Sequence, residues 1–127
     1  MGTIRSYRDL RVWHTAMQLV ERCYELSRTC RAGDRFELLH QLRAAAVSIP
    51  ANIAEGHGRG STGAYRNHLQ IALGSLAEFE TLIEIAVRIR LIESADIVGL
   101  IKCSDETGRM LRGLLRALPP NSKPPNP

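Results

Sequence analysis

The segment from Thr62 to Ile92 contains no proline and repeats its aliphatic side chains at helical period. On a wheel of about 100° per residue, Leu69, Ala72, Leu76, Phe79, Ile83 and Val87 cover one side. Ile71, Leu82, Ile85 and Ile89 cover a second side. The polar stripe is narrow: Arg66, Gln70, Thr81, Glu84 and Arg88. Apolar residues therefore fill roughly two-thirds of the circumference, more than a surface helix of a lone bundle needs. Two arrangements satisfy such a helix. It is central and buried by its own chain, or it also forms a subunit interface.

The rest of the chain supplies three partner helices. The first is expected over Tyr7–Thr29, with heptad-like spacing at Trp13, Met17, Val20, Tyr24 and Ser27 and with Ala16 and Cys23 beside them. Arg31-Ala32-Gly33 stops it. The second opens at Asp34, with Glu37 three places later as a capping box, and runs to about His57. The third takes Ser61 or Thr62 as its N-cap. The fourth starts near Ser94, carries Asp96 in its first turn and reaches about Leu118. No stretch alternates with period two for long enough to form a strand. The expected fold class is all-α, an up-down-up-down four-helix bundle over residues 1–118. A Pro-rich tail, 119–127, is expected to be disordered. The chain has 127 residues, enough for one domain, and only 5% are aromatic, so its core must be aliphatic.

Pro50 interrupts an otherwise good helix in "AAAVSIPANIAEGHGRG". It lacks an N–H and its ring crowds the Ala46 carbonyl, at a cost of about 3 kcal/mol in a helix interior. The spacing of Ala46, Ile49, Ile53 and Ala54 continues past it, which favours a second helix kinked at Pro50 over two separate helices. Ser48 is placed to satisfy the freed backbone groups. The glycines at 56, 58, 60 and 63 do not make a phosphate loop, because no strand precedes them and no Lys-Ser/Thr follows. Gly58 reads as a helix stop. An anion at the start of the third helix, near Arg59, is the remaining binding reading of this loop.

Folding the second helix back on the third sets Arg43 opposite Glu78, Val47 opposite Gly74 and Ala46 against Ser75. Arg43, Asn52, Glu55, Ser75 and Glu78 then form a structural polar network, with the Arg43–Glu78 pair fixing register more than adding stability. A catalytic pair of Glu55 and Glu78 would be several turns apart. An enzymatic site, if present, would sit around Asn52, Glu55 and His57 between subunits. No Ser-His-Asp or Cys-His relay follows from spacing. His14, His40, His57 and His68 lack metal-ligand spacing, so neither a metal nor a cofactor is expected. Cys23, Cys30 and Cys103 make an odd count without CxxC, and no apolar run is long enough for a membrane span. These features point to thiols in a reducing cytoplasm.

Three blocks carry a family resemblance: "YRDLRVWHTAMQLVERCYELS" (7–27), "QLRAAAVSIPANIAEGHGR" (41–59) and "YRNHLQIALGSLAEFET" (65–81). In order and spacing they resemble the bacterial four-helix-bundle family named after proteins encoded in intervening sequences of 23S rRNA genes. The resemblance implies a cytoplasmic bundle that assembles into a ring-like homopentamer. It also implies a relation to the accessory variability protein of diversity-generating retroelements, a basic pentamer that binds reverse transcriptase and nucleic acid. The chain departs from the family pattern in two of these blocks. Ala44 stands where a second arginine is usual, and His68 where an aromatic is expected.

The net charge of +4 conceals polarity. Up-down topology gathers the start of the first helix, the loop between the second and third, and the end of the fourth. Arg5, Arg8, Arg11, Arg59, Arg66, Arg109, Arg112 and Arg116 share that end with few acids, Asp9 and Glu55. The expected function is non-enzymatic: an oligomeric bundle presenting this end to RNA or DNA, or to a reverse-transcriptase-like protein. The competing expectation is a protein–protein scaffold with an acidic partner and no nucleic-acid contact.

Overall fold

The computed structural model describes residues 3–30 and 36–120. Four α-helices make up the fold: α1 (Arg11–Thr29), α2 (Phe36–Gly58), α3 (Thr62–Arg88) and α4 (Val98–Ala117). Each packs against two others around the bundle, α1 on α2 and α4, and α3 on α2 and α4, with the α2–α3 contact the most extensive. No strand occurs among the described residues. The expected stop at Arg31-Ala32-Gly33, Asp34 of the expected capping box and residues 121–127 of the tail lie outside the described residues.

The element ends correct the sequence reading in three places. The first helix does not start at Tyr7. A 3-10 turn, Tyr7–Asp9, comes first, and extended backbone at Leu10 separates it from α1. Its own capping box is the cause. Asp9 Oδ2 accepts from the amides of Arg5 (2.9 Å) and Ser6 (3.2 Å), and Ser6 Oγ accepts from the amide of Arg8 (3.1 Å). Those amides hold the Asp9 carboxyl below its ordinary value. The third helix stops at Arg88 rather than Ile92. Arg90 turns to a φ of 64°, the Arg90 amide bonds the Val87 carbonyl (3.0 Å) and the Leu91 amide bonds the Ala86 carbonyl (2.9 Å). This Schellman closure lets Ile92 fold back into the core. Before α4, a 3-10 turn covers Ser94–Ile97. Ser61 is the N-cap of α3, its Oγ accepting from the Ala64 amide at 3.2 Å.

The core is aliphatic, with Phe79 its largest fully buried side chain. Leu69, Ala72, Leu76, Phe79 and Ile83 of α3 are buried as the wheel requires, and Val87 packs at the edge. In α1 the buried stripe is Val12, Ala16, Leu19 and Cys23. Of the heptad-like set, Trp13, Met17, Val20 and Tyr24 lie one step around the helix and are only partly covered, while Ser27 is buried. α2 runs unbroken through Pro50, so the alternative of two helices does not hold.

Leu19 has no exposed surface, so Leu19→Ala removes buried methyl groups and leaves a void. A loss of about 2–5 kcal/mol in urea unfolding is expected, whereas Met17→Ala should cost clearly less. Burial pushes the Cys23 thiol up from 9.0 to about 11, against opposing effects of Ser27 and Arg43. A raised folded value means this contribution to stability is whole below pH 9.0 and lost as pH climbs toward 11. A thiol reagent at pH near 8 is therefore expected to label half-buried Cys30 before Cys23, which should react only on unfolding.

Candidate functional site

Two regions were expected to carry function, the α2–α3 polar residues and the arginine-rich end. Along the α2–α3 seam the side chains form a continuous chain. Ser75 and Ser48 share a hydroxyl–hydroxyl bond of 2.8 Å. Asn52 Nδ2 donates to the Ser48 carbonyl (2.8 Å) and to Ser48 Oγ (3.0 Å). Asn52 Oδ1 faces His68 Nδ1 at 3.0 Å, and His68 Nε2 stands 3.3 Å from Glu55 Oε2. Arg59 closes the series on Glu55 at 3.1 Å. The Asn52 amide is already donating to Ser48, so its Oδ1 can only accept, and the Glu55 carboxylate also only accepts. Both ring nitrogens of His68 thus face acceptors.

This network contains Asn52, Glu55 and Ser75 but neither Arg43 nor Glu78. The Arg43 guanidinium lies 5.8 Å over the Tyr24 ring of α1, on the other edge of α2, and Glu78 is exposed. No Arg43–Glu78 bridge forms among the described residues. His68, which spacing alone did not single out, joins the two helices beside the Ser48–Ser75 bond. Ser48 spends its hydroxyl on the seam rather than on backbone freed by Pro50. Nor do Val47 and Gly74 make a close contact. Val47 is exposed, and a β-carbon at Gly74 would meet nothing within 4 Å.

The close contact is at Gly56, where a β-carbon would stand 2.5 Å from His68 Cβ. Gly56 is buried; α2 and α3 approach there because the α2 backbone presents no side chain to His68 Cβ. Gly58 has open space around it, and Gly60 carries a φ of 80° in the loop. The glycine run thus has a packing member, a neutral member and a turn member.

At the arginine-rich end, Arg66 is half-buried and donates to the Leu115 carbonyl at 2.7 Å, with longer contacts to Leu118 and Pro119. It satisfies the carbonyl end of α4 and ties the start of α3 to it. Arg59 is paired with Glu55. Arg8 lies over the rings of Tyr7 (5.4 Å) and Trp13 (5.7 Å). Arg112 folds across Gly108, its guanidinium nitrogen 3.0 Å from where a β-carbon would be. Arg5, Arg11, Arg109 and Arg116 are exposed, and none is in an ion pair among the described residues. Near them, Ser104 is fully buried and donates to Glu80 Oε2 at 2.9 Å in a cleft between α3 and α4 that Arg109 and Arg112 border. Among the described residues no cluster of His, Cys, Asp or Glu is arranged to hold a metal, and no helix is long and apolar enough to cross a membrane.

A single helical bundle with a polar α2–α3 seam and an arginine-rich end is the class of protein this structure defines. The chain belongs to the family of 23S rRNA-intervening sequence proteins, whose model matches residues 8–113. A crystal structure of a protein of unknown function from the S23 ribosomal protein family of Bacteroides thetaiotaomicron has the same fold. Its TM-score is 0.75 at 22% identity, covering 84% of this chain and 96% of that one. A comparison with curated proteins gives no match.

Substitutions in the glycine run separate its members. Gly56→Ala must push α2 and α3 apart and is expected to cost about 1–3 kcal/mol. Gly58→Ala is expected to be neutral or to stabilise by up to about 1 kcal/mol, through helix propensity. Urea unfolding of both variants, side by side, is the measurement.

Proposed function

We propose that this protein is a non-enzymatic, self-associating helical bundle that holds nucleic acid, or a protein bound to nucleic acid, against its arginine-rich end. The observation carrying this reading is that Arg5, Arg11, Arg109 and Arg116 are exposed and free of carboxylate partners among the described residues. Free guanidiniums suit phosphate contacts, with little sequence preference. Of the aromatic rings at this end, Tyr7 and Trp13 lie under Arg8 and Tyr65 is half-buried against His57, so charge rather than base stacking drives the contact.

Self-association is supported by aliphatic surface left in water. Ile71, Ile85 and Ile89 of α3 are 43%, 40% and 42% exposed. An assembly repeats the arginine end once per copy and so multiplies weak phosphate contacts. Family resemblance points to a pentamer in the cytoplasm, and to a reverse-transcriptase-like protein as the partner class. In that compartment Cys23, Cys30 and Cys103 remain free thiols. The second reading is a scaffold for an acidic protein. It draws on the same free arginines and differs in needing no nucleic acid.

Fluorescence anisotropy with a labelled, unrelated RNA tests the first reading. Affinity is expected to fall linearly with salt on a log–log plot, and each lost phosphate contact should flatten the slope by about 0.7. Arg116→Ala should weaken binding to all sequences alike. Binding that ignores salt, or no binding at all beside an intact assembly, would favour the acidic-protein reading.

A further inference from the structure

Among the described residues, two extended apolar surfaces differ in shape and charge. The first is the outer groove between α1 and α2, a cavity of about 270 Å³. One wall is the four-three-four ladder of α1 from Trp13 to Tyr24. The other is a matching ladder of α2: Arg43, Val47, Pro50 and Ala54. The ladders run antiparallel, with Tyr24 beside Arg43 at one end. Val47 and Tyr24 are 43% and 40% exposed. Arg8 lies over Trp13 at one end and Arg43 over Tyr24 beyond the other end of the cavity, and no carboxylate lines the cavity itself. Two apolar ladders at this spacing leave a seat for a third helix.

The second surface is the outer stripe of α3: Ile71, Glu78, Ile85 and Ile89. The first three recur every seven residues, and Ile89 follows one turn on. Ile71 is three residues from His68 and four from Ser75, both of which face α2, so the stripe runs along the α2–α3 side of the bundle. Glu78 is exposed and has no cationic partner among the described residues. The stripe is therefore an apolar ridge with a carboxylate, and the groove is an apolar seat with cations at its ends.

We infer that the α3 ridge of one copy seats in the α1–α2 groove of the next, with Glu78 supplying the carboxylate that the groove's guanidiniums lack. This rests on the self-association proposed above and names the surfaces that make it. The contact is head-to-tail: each copy gives a ridge to one neighbour and a groove to the other. The two surfaces lie on adjoining sides of the bundle rather than on opposite ones. Each contact therefore turns a corner, so successive copies do not line up as a straight filament.

The test uses two variants at exposed positions, Val47→Glu in the groove and Ile85→Asp on the ridge, with circular dichroism confirming that each keeps its helices. Light scattering should show the wild type assembled and each variant alone as a single subunit, with at least a tenfold loss of affinity. Mixed one to one, the variants should form a pair of twice the subunit mass and nothing larger, because one retains its groove and the other its ridge. Failure of the mixture to pair overturns the head-to-tail contact, as does a Val47→Glu protein that assembles like the wild type. A wild type that stays a single subunit sinks self-association itself. The two failures are thus distinguished by the wild-type measurement.

Discussion

The approach of α2 to α3 at Gly56 is the constraint on which the rest of the bundle depends. With a β-carbon position only 2.5 Å from His68 Cβ, the two backbones meet where the loop joins them. Only glycine permits this. Once the helices are that close, the polar residues one and two turns away have fixed partners. Asn52 reaches His68, and Ser48 reaches Ser75. Buried polar groups are costly unless satisfied, so a slipped register would strand several of them at once. The seam therefore chooses a register more than it adds stability. α1 and α4 then pack against a hairpin whose geometry is already set.

The sequence makes some of this legible and hides the rest for identifiable reasons. Helical period and caps place the elements well, since a Ser61 N-cap or a proline acts locally. The core face of α3 is legible because Leu69, Leu76, Phe79 and Ile83 share one side of the wheel, although Leu82 of the second apolar side is buried with them. α1 is harder to read. Its heptad-spaced Trp13, Met17, Val20 and Tyr24 hold the larger side chains, yet the smaller Ala16, Leu19 and Cys23 are buried. Size and spacing show that a face is apolar; they do not show which of two apolar faces meets the core. The expected Arg43–Glu78 pair fails similarly. A helix in a bundle has two neighbours, and opposite charges in plausible register do not say which neighbour each residue faces. Arg43 turns to α1 and stacks on Tyr24.

His68 shows how a departure from the family pattern can be informative. An aromatic side chain there could fill space against α2 but could not bridge Asn52 and Glu55. Imidazole does both, with its ring largely covered and its nitrogens directed at two acceptors. Glu55 is in turn held by Arg59, an arginine of the basic end. Seam and basic end are thus mechanically joined. The consequence is a division of labour among the arginines. Arg59 and Arg66 hold the fold at that end, Arg8 covers aromatic rings, and Arg5, Arg11, Arg109 and Arg116 are exposed without an ion pair among the described residues.

Pro50 belongs to the same logic. It is buried, and its ring lines the α1–α2 groove beside Val47 and Ala54. A proline costs the helix a donor, about 3 kcal/mol in an ordinary interior. That cost is hard to explain by the monomer alone, since a leucine or alanine would pack without it. In a groove that receives another helix the balance changes. The ring gives a rigid apolar wall with no side-chain entropy to lose, although the Ala46 carbonyl is left without its helical donor. The small residues beside it, Ala51 and Ala54, keep the wall low enough for a second backbone to come close.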